Sequence, residues 1–167
     1  MAKQTVIGAD ALAKNIAVYT KGFLREVNVD MEEAKIILKN KIKDNISNTD
    51  HSLADLAKLG HPYSARNPQA IHKPSYIVHR QSGKMLAALK SGTVKASVSS
   101  AKLEAEAFAG IDDSVEYAPY VIHGTSKMVK RDFLRGSLGE VGDKILTILK
   151  RSLKNTTISF EGKQVKL

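Results

Sequence analysis

The chain contains no cysteine. This excludes disulfides, thiolate catalysis and a cysteine-ligated zinc site, and it leaves the redox compartment open. Aromatic residues are few, with five Tyr, four Phe and no Trp in 167 residues, so a place where they gather stands out. No apolar run approaches the roughly 18 residues that a membrane span needs. The opening stretch MAKQTVIGADALAKN holds no signal-peptide hydrophobic segment, and the expectation is a soluble, unexported protein. Proline occurs four times, three of them at Pro62, Pro68 and Pro74. Acidic residues are missing between Asp55 and Glu104.

What is abundant is positive charge. Lys and Arg number 26 against 17 Asp and Glu, a formal net charge of +9, which favours anionic partners such as nucleic acid or an acidic protein face. Almost all of that excess sits in the acid-free stretch, on Lys58, Arg66, Lys73, Arg80, Lys84, Lys90, Lys95 and Lys102. Two readings compete there: a face that meets phosphate or an acidic neighbouring subunit, or a solvated basic surface with no specific partner. The length suits a single domain, residues 1–167, built round one core.

Hydrophobic spacing sets the expected elements. From Asp10, a plausible N-cap, to about Ile46, apolar residues at Ile16, Phe23, Leu24, Val27, Met31, Ala34, Leu38, Ile42 and Ile46 draw one stripe at steps of three and four. The poor helix formers Val27 to Asp30 leave both one long helix and two collinear pieces open. Residues 47–75 hold the three clustered prolines and are expected to form an extended loop insertion. Only Ser52 to Gly60 within it reads as helical. Such a loop commonly serves recognition or is ordered by a partner.

A short helical piece over residues 82–92 precedes two predicted strands. Thr93 to Ser99 alternates Val94, Ala96 and Val98 with polar residues, and Leu103 to Ile111 alternates Leu103, Ala105, Ala107 and Ala109 with Glu104, Glu106 and Phe108. The two suit an antiparallel hairpin closed through Ser99 to Lys102, although the Ala and Glu of the second also permit helix. A last helix starts near Arg131, with Leu134, Leu138, Val141, Ile145, Leu149 and Leu153 on its core side. Gly136, Gly139 and Gly142 weaken its first half. Alternation in residues 156–167 suggests a C-terminal hairpin or projecting arm. The expected fold class is α+β: a small antiparallel sheet packed against a long N-terminal helix and a C-terminal helix.

No catalytic constellation emerges. His51, His61, His72, His79 and His123 include no pair three or four apart, so a two-histidine metal face on a helix is not formed. Neither a phosphate loop nor a nucleophile elbow is present, and no cofactor is indicated. Asp112, Asp113 and Glu116 suit either a divalent cation or the start of a helix, where acids complement the dipole. Gly124 is expected to end the short helix that follows. Tyr117 and Tyr120, three apart on it, either cover the sheet or stand at an interface.

The densest cluster of signals is YAPYVIHGTSKMVKRDFL, residues 117–134. Tyr117-Ala118-Pro119-Tyr120-Val121, then Gly124-Thr125-Ser126-Lys127-Met128, then Phe133-Leu134-Arg135 resemble in order and spacing the signature of the tailed-bacteriophage tail-completion, or tail-to-head joining, minor neck proteins. Gln81 to Leu86 is similar to a further segment of that family, and the resemblance covers about residues 80–154. The chain departs from the pattern at Ile122, where the family usually has Glu, at Asp132, where it has Pro, and at Gly136, where a second Pro is common.

The resemblance implies a nonenzymatic structural subunit of the virion, assembled in the host cytoplasm and placed at the head-tail junction. It would form a ring, a hexamer, that ends the tail tube and joins it to the head connector or stopper protein. Genomic DNA would pass through the lumen without sequence recognition, and no membrane would be involved. Tyr117, Pro119, Tyr120, Gly124, Thr125, Phe133 and Leu134 would form the structural corner. Lys58, Arg66, Lys73, Arg80, Lys84, Lys127, Lys130 and Arg131 would face neighbours or phosphate. Alternatives are a head-completion or stopper-type neck protein, a basic nucleic-acid-binding module without a recognised reading motif, and a small hydrolase or nuclease resting on the scattered histidines and acidic residues.

Overall fold

The structure is a computed structural model that describes residues 9–47, 76–78, 80, 82–98, 103–126 and 128–161. Along the chain run α1 (Ala9–Ile46), α2 (Lys84–Ala87), β1 (Leu89–Ser91), β2 (Lys95–Val98), β3 (Leu103–Glu106), β4 (Ala109–Ile111), α3 (Ala118–His123) and α4 (Phe133–Glu161). The class is α+β, as the hydrophobic spacing predicts. No described helix is long and apolar enough to cross a membrane. The expected loop insertion, including Ser52 to Gly60, lies outside the described residues apart from Ser47.

Helix α1 is a single unbroken helix and forms the spine. Asp10 lies inside it rather than capping it, and the Val27–Asp30 stretch stays helical because both ends of that stretch are packed. At about 100° per residue, Val27, Asp30, Ala34, Lys41 and Asn45 fall on the side that meets α4, while Glu32, Lys35 and Lys39 fall on the side that meets the strands. The helix is therefore sandwiched. The predicted stripe holds from Phe23 onward, but Ile16 is exposed because nothing described packs on that end.

Helices α1 and α4 are antiparallel. Asn45 meets Ser137 near one end (Nδ2 to Oγ, 2.9 Å), and Asp30 meets Arg151 towards the other (Oδ1 to Nη2, 2.9 Å). On this register Glu161 comes level with about Thr20, so α1 runs on past the last described residue of α4 for about 16 Å at 1.5 Å per residue. Arg151 also donates to Glu33 (2.8 Å), and these two carboxylates hold its guanidinium well above the usual range.

The strands form one hairpin with a flaw in the middle. Leu89, Lys90 and Ser91 pair with Ile111, Gly110 and Ala109, whereas Lys95 to Val98 pair with Glu106 to Leu103. The Gly92 N–H still donates to Phe108 O (3.0 Å) in the first register. Thr93 and Val94 are thus left opposite the single Ala107, a β-bulge. The extra residue reverses which side chains are half-buried: Leu89 and Ser91 before it, Val94 and Ala96 after it. Helix α1 holds this bulge by charge. Lys35 Nζ donates to Gly92 O (3.0 Å) and pairs with Glu32. Lys35 and the Val94 N–H together hold the Glu32 carboxyl below the usual carboxylate range.

Three expectations are corrected here. Residues 82–92 are not one helix, since Leu89 to Ser91 find strand partners across from Ala109 to Ile111. The predicted strand from Leu103 to Ile111 divides at Ala107 and Phe108, opposite the bulge. Of the hairpin or arm expected at 156–167, the hairpin is corrected, since residues 156–161 continue the helix through Glu161 because a helix already nucleated extends at little cost; residues 162–167 lie outside the described residues.

The core gathers where α1 ends. Ile42, Ile46, Val78, Met85, Val115, Ala118, Val121 and Phe133 are buried together, each large aliphatic stabilising by roughly 1.5–3 kcal/mol. Leu138, expected among them, is exposed, since the buried line of α4 instead runs through Phe133, Ser137 and Ile148.

Candidate functional site

The cluster at residues 117–134 folds as one corner between the end of the hairpin and the start of α4. Asp112 opens it by accepting the Ser114 N–H on Oδ1 (2.8 Å) and pairing with Lys90. Asp112 to Val115 make a turn instead of the expected first helical residues. Helix α3 follows, with Pro119 in its first turn, where a missing N–H costs nothing, and with Ala118 and Val121 buried. Among the described residues no group of three or more His, Asp or Glu is arranged to hold a metal ion.

Gly124 ends α3 at φ 76°, with its N–H on Tyr120 O (2.9 Å). A Cβ there would stand 2.8 Å from Lys130 N, so conformation and space both require glycine. Thr125 and Met128 exchange backbone hydrogen bonds (2.9 and 3.3 Å), and the Thr125 hydroxyl also accepts the Met128 N–H (3.1 Å). The Arg131 N–H returns to Val121 O (2.8 Å), which closes the corner onto α3. Asp132 then starts α4, its Oδ1 accepting the Arg135 N–H (3.1 Å) and its carbonyl the Gly136 N–H (2.9 Å). An aspartate cap does by hydrogen bonding what a proline at this place does by a fixed φ.

Side chains divide sharply. Phe133 and Arg131 are 0 % exposed, while Tyr117 is 40 % and Tyr120 58 % exposed. The tyrosines therefore do not cover the sheet; Ala118 and Val121 take the inward positions, and the aromatics point out. Arg131 is corrected likewise. Expected to face a neighbour or phosphate, it is buried, and its Nη1 donates to Ile77 O (3.0 Å), tying residues 76–78 to the corner. Leu134 is half-buried against the core. Of the other cations, Lys84, Arg80 and Lys130 are exposed, Lys130 lying 3.7 Å from Asp132. Lys58, Arg66, Lys73 and Lys127 lie outside the described residues.

Among the described residues, two open grooves flank the corner. One, of about 470 Å³, runs between α2 and the turn before α3 and is lined by Lys84, Ala88, Val115 and Tyr117 among others. The second, of about 370 Å³, is lined by Tyr76, Lys130, Asp132, Arg135 and Gly136.

Sharing Tyr76 with the second groove is a polar cluster that the hydrophobic pattern does not reveal. Glu140 of α4 pairs with Lys41 of α1 and accepts hydrogen bonds from the Tyr76 hydroxyl (2.6 Å) and Asn45 Nδ2 (3.2 Å). The only hint in the sequence is Asn45, a polar residue beside the apolar stripe. Lys41 foremost, then Tyr76 and Asn45, hold the Glu140 carboxyl below the usual carboxylate range, and the Glu140 carboxylate in turn pushes the Tyr76 hydroxyl up.

The Glu140 contribution to stability is complete above the ordinary carboxylate pKa of about 4.3 and is lost as pH falls through its lowered folded value. Tyr76 acts in the opposite sense, contributing fully below about 10 and losing that contribution as pH rises through its raised value. Glu140→Gln is accordingly expected to flatten the loss of stability between about pH 5 and pH 2, read from urea midpoints across that range. Identical acid limbs in variant and parent would refute the assignment.

The chain matches no protein-family model, no curated protein and no solved structure.

Proposed function

We propose that this protein is a structural subunit of the neck of a tailed bacteriophage, a ring-forming protein that ends the tail tube and joins it to the head connector. One observation carries the reading. The residues that resemble the neck-protein signature fold as a single corner in which Phe133, Val121 and Ala118 are buried while Tyr117 and Tyr120 stand outward. Exposed tyrosines on a backbone fixed by Gly124 and Asp132 offer large contact area at small entropic cost, as interfaces require. Apolar side chains left exposed on α1 and α4 add surface that suits burial by partners. The partners are further copies of the chain, the tail tube protein and the head connector, with the genome passing through the ring.

The test is a double variant, Tyr117→Ala with Tyr120→Ala. It is expected to keep the parent's melting temperature within a few degrees, because both rings are exposed, yet to reduce the yield of joined particles at least tenfold in a head-to-tail joining assay. Normal joining, or absence of the polypeptide from purified necks on electron microscopy, would sink the reading. Steeply salt-dependent binding of duplex DNA by the isolated monomer would favour a nucleic-acid-binding module instead.

A further inference from the structure

Two apolar stripes on the helix pair are left uncovered among the described residues. On α4, Leu138 and Leu146 are exposed, Leu149 is half-buried, and the space above Gly139 and Gly142 is open, with nothing within 4 Å of a Cβ placed on either. On α1, Val29 and Ile36, two turns apart, are exposed. A solvent-facing helix surface ordinarily carries polar residues, and Ile36 and Leu146 each remain 53 % exposed.

The placement of these stripes decides what fits them. At about 100° per residue, Val29 and Ile36 lie roughly 130° round α1 from the line that faces α4. Leu138, Gly142 and Leu146 lie roughly 150° round α4 from the line that faces α1. With the helices antiparallel, these offsets carry the two stripes to opposite sides of the pair. A translation combined with a modest rotation then brings the α4 stripe of one copy against the α1 stripe of the next, again antiparallel, with Leu146 level with Ile36.

Charge points to the same arrangement. Glu26 and Glu33 border the α1 stripe on the side where Lys150 and Lys154 border the α4 stripe of the adjoining copy, and all four are exposed. Glu33 also pairs with Arg151 of its own chain, so a neighbour's lysine would add to an existing ion pair. The open glycines let the β-branched side chains of α1 approach the α4 backbone closely.

We infer that these stripes are the two halves of one heterologous interface, through which a second copy of this chain docks helix to helix. The inference rests on the ring-forming reading and deepens it by naming the contact. Because the two surfaces differ, the contact repeats from copy to copy and closes only as a ring or continues as a filament. With helix spacings of 8–10 Å, each copy advances by about 20 Å.

The experiment uses the full chain and native mass spectrometry, with Ile36→Lys and Leu146→Lys as separate variants. Both positions are exposed in the single chain, so far-ultraviolet circular dichroism spectra are expected to match the parent's, while the melting temperature falls by whatever assembly contributes. The parent is expected to assemble beyond a dimer. Each variant alone is expected to stay monomeric, association weakening by about a hundredfold as a lysine is forced into an apolar contact. Mixed in equal amounts, the variants retain one intact α1 stripe and one intact α4 stripe between them and are expected to stop at a one-to-one heterodimer. Variants that assemble like the parent would overturn this contact while leaving the ring reading standing. A parent that stays monomeric would overturn both, and a parent that stops at a dimer would overturn the head-to-tail order.

Discussion

Phe133→Ala is expected to lower unfolding free energy by about 3–5 kcal/mol, much of the margin of a domain this size. The ring is completely buried, at the point where the corner, the end of α1 and residues 76–78 converge. Its removal leaves a cavity whose walls are held from several directions: α1 by its contact with α4, the corner by the Arg131 N–H on Val121 O, and Val78 by its N–H on Asn45 O (2.8 Å). Walls fixed in this way collapse little, which puts the cost in the upper part of the range. Chemical denaturation followed by circular dichroism measures it. A loss under about 1 kcal/mol would mean that the site closes over and that this packing is not the keystone described. Phe133→Leu, which preserves most of the volume, is expected to recover more than half of the loss.

The second large effect separates two glycines of one helix by sign. By helix propensity alone, Gly→Ala stabilises a helix interior by up to about 1 kcal/mol, and Gly142→Ala is expected to do so in the monomer, since nothing stands within 4 Å of the new methyl. Gly136→Ala is expected to lose about 2 kcal/mol instead. Its Cβ would fall 2.4 Å from Tyr76 Cγ and 2.6 Å from Cδ2, so the ring has to leave the helix surface and take its hydroxyl away from Glu140. Steric exclusion and the lost hydrogen bond outweigh the propensity gain. Thermal melts of the two variants check the contrast. A Gly136→Ala protein as stable as Gly142→Ala would show that Tyr76 does not lie against α4.

Much of this architecture is legible in the residues because it depends on local periodicity. The stripe from Phe23 to Ile46, the alternation that makes Lys95 to Val98 a strand and Gly124 as a helix stop all act within a few positions of themselves. Features resting on contacts distant in the chain are not legible. Arg131 sits in a basic run that reads as surface, and its burial depends on Ile77, 54 positions away. Asn45 finds Ser137 across 92 positions. Leu89 to Ser91 resemble the end of a helix until Ala109 to Ile111 supply a ladder. Leu138 sits at correct core spacing, but α1 covers a narrower line of α4 than the full width of its apolar face. The tyrosines were ambiguous for a related reason, since an aromatic pair three apart suits a core and an interface equally well.

The overhang of α1 past α4 has a consequence for how the molecule comes apart. Those first turns have no described neighbour along α4 and persist because helix propagates cheaply from the packed turns behind them. They should therefore melt inward from their N-terminal end by fraying, and their amide protons should exchange with solvent through small local openings rather than through cooperative collapse of the domain. A helix that is clamped along one part of its length and has no described neighbour along the rest holds two stabilities in a single continuous element.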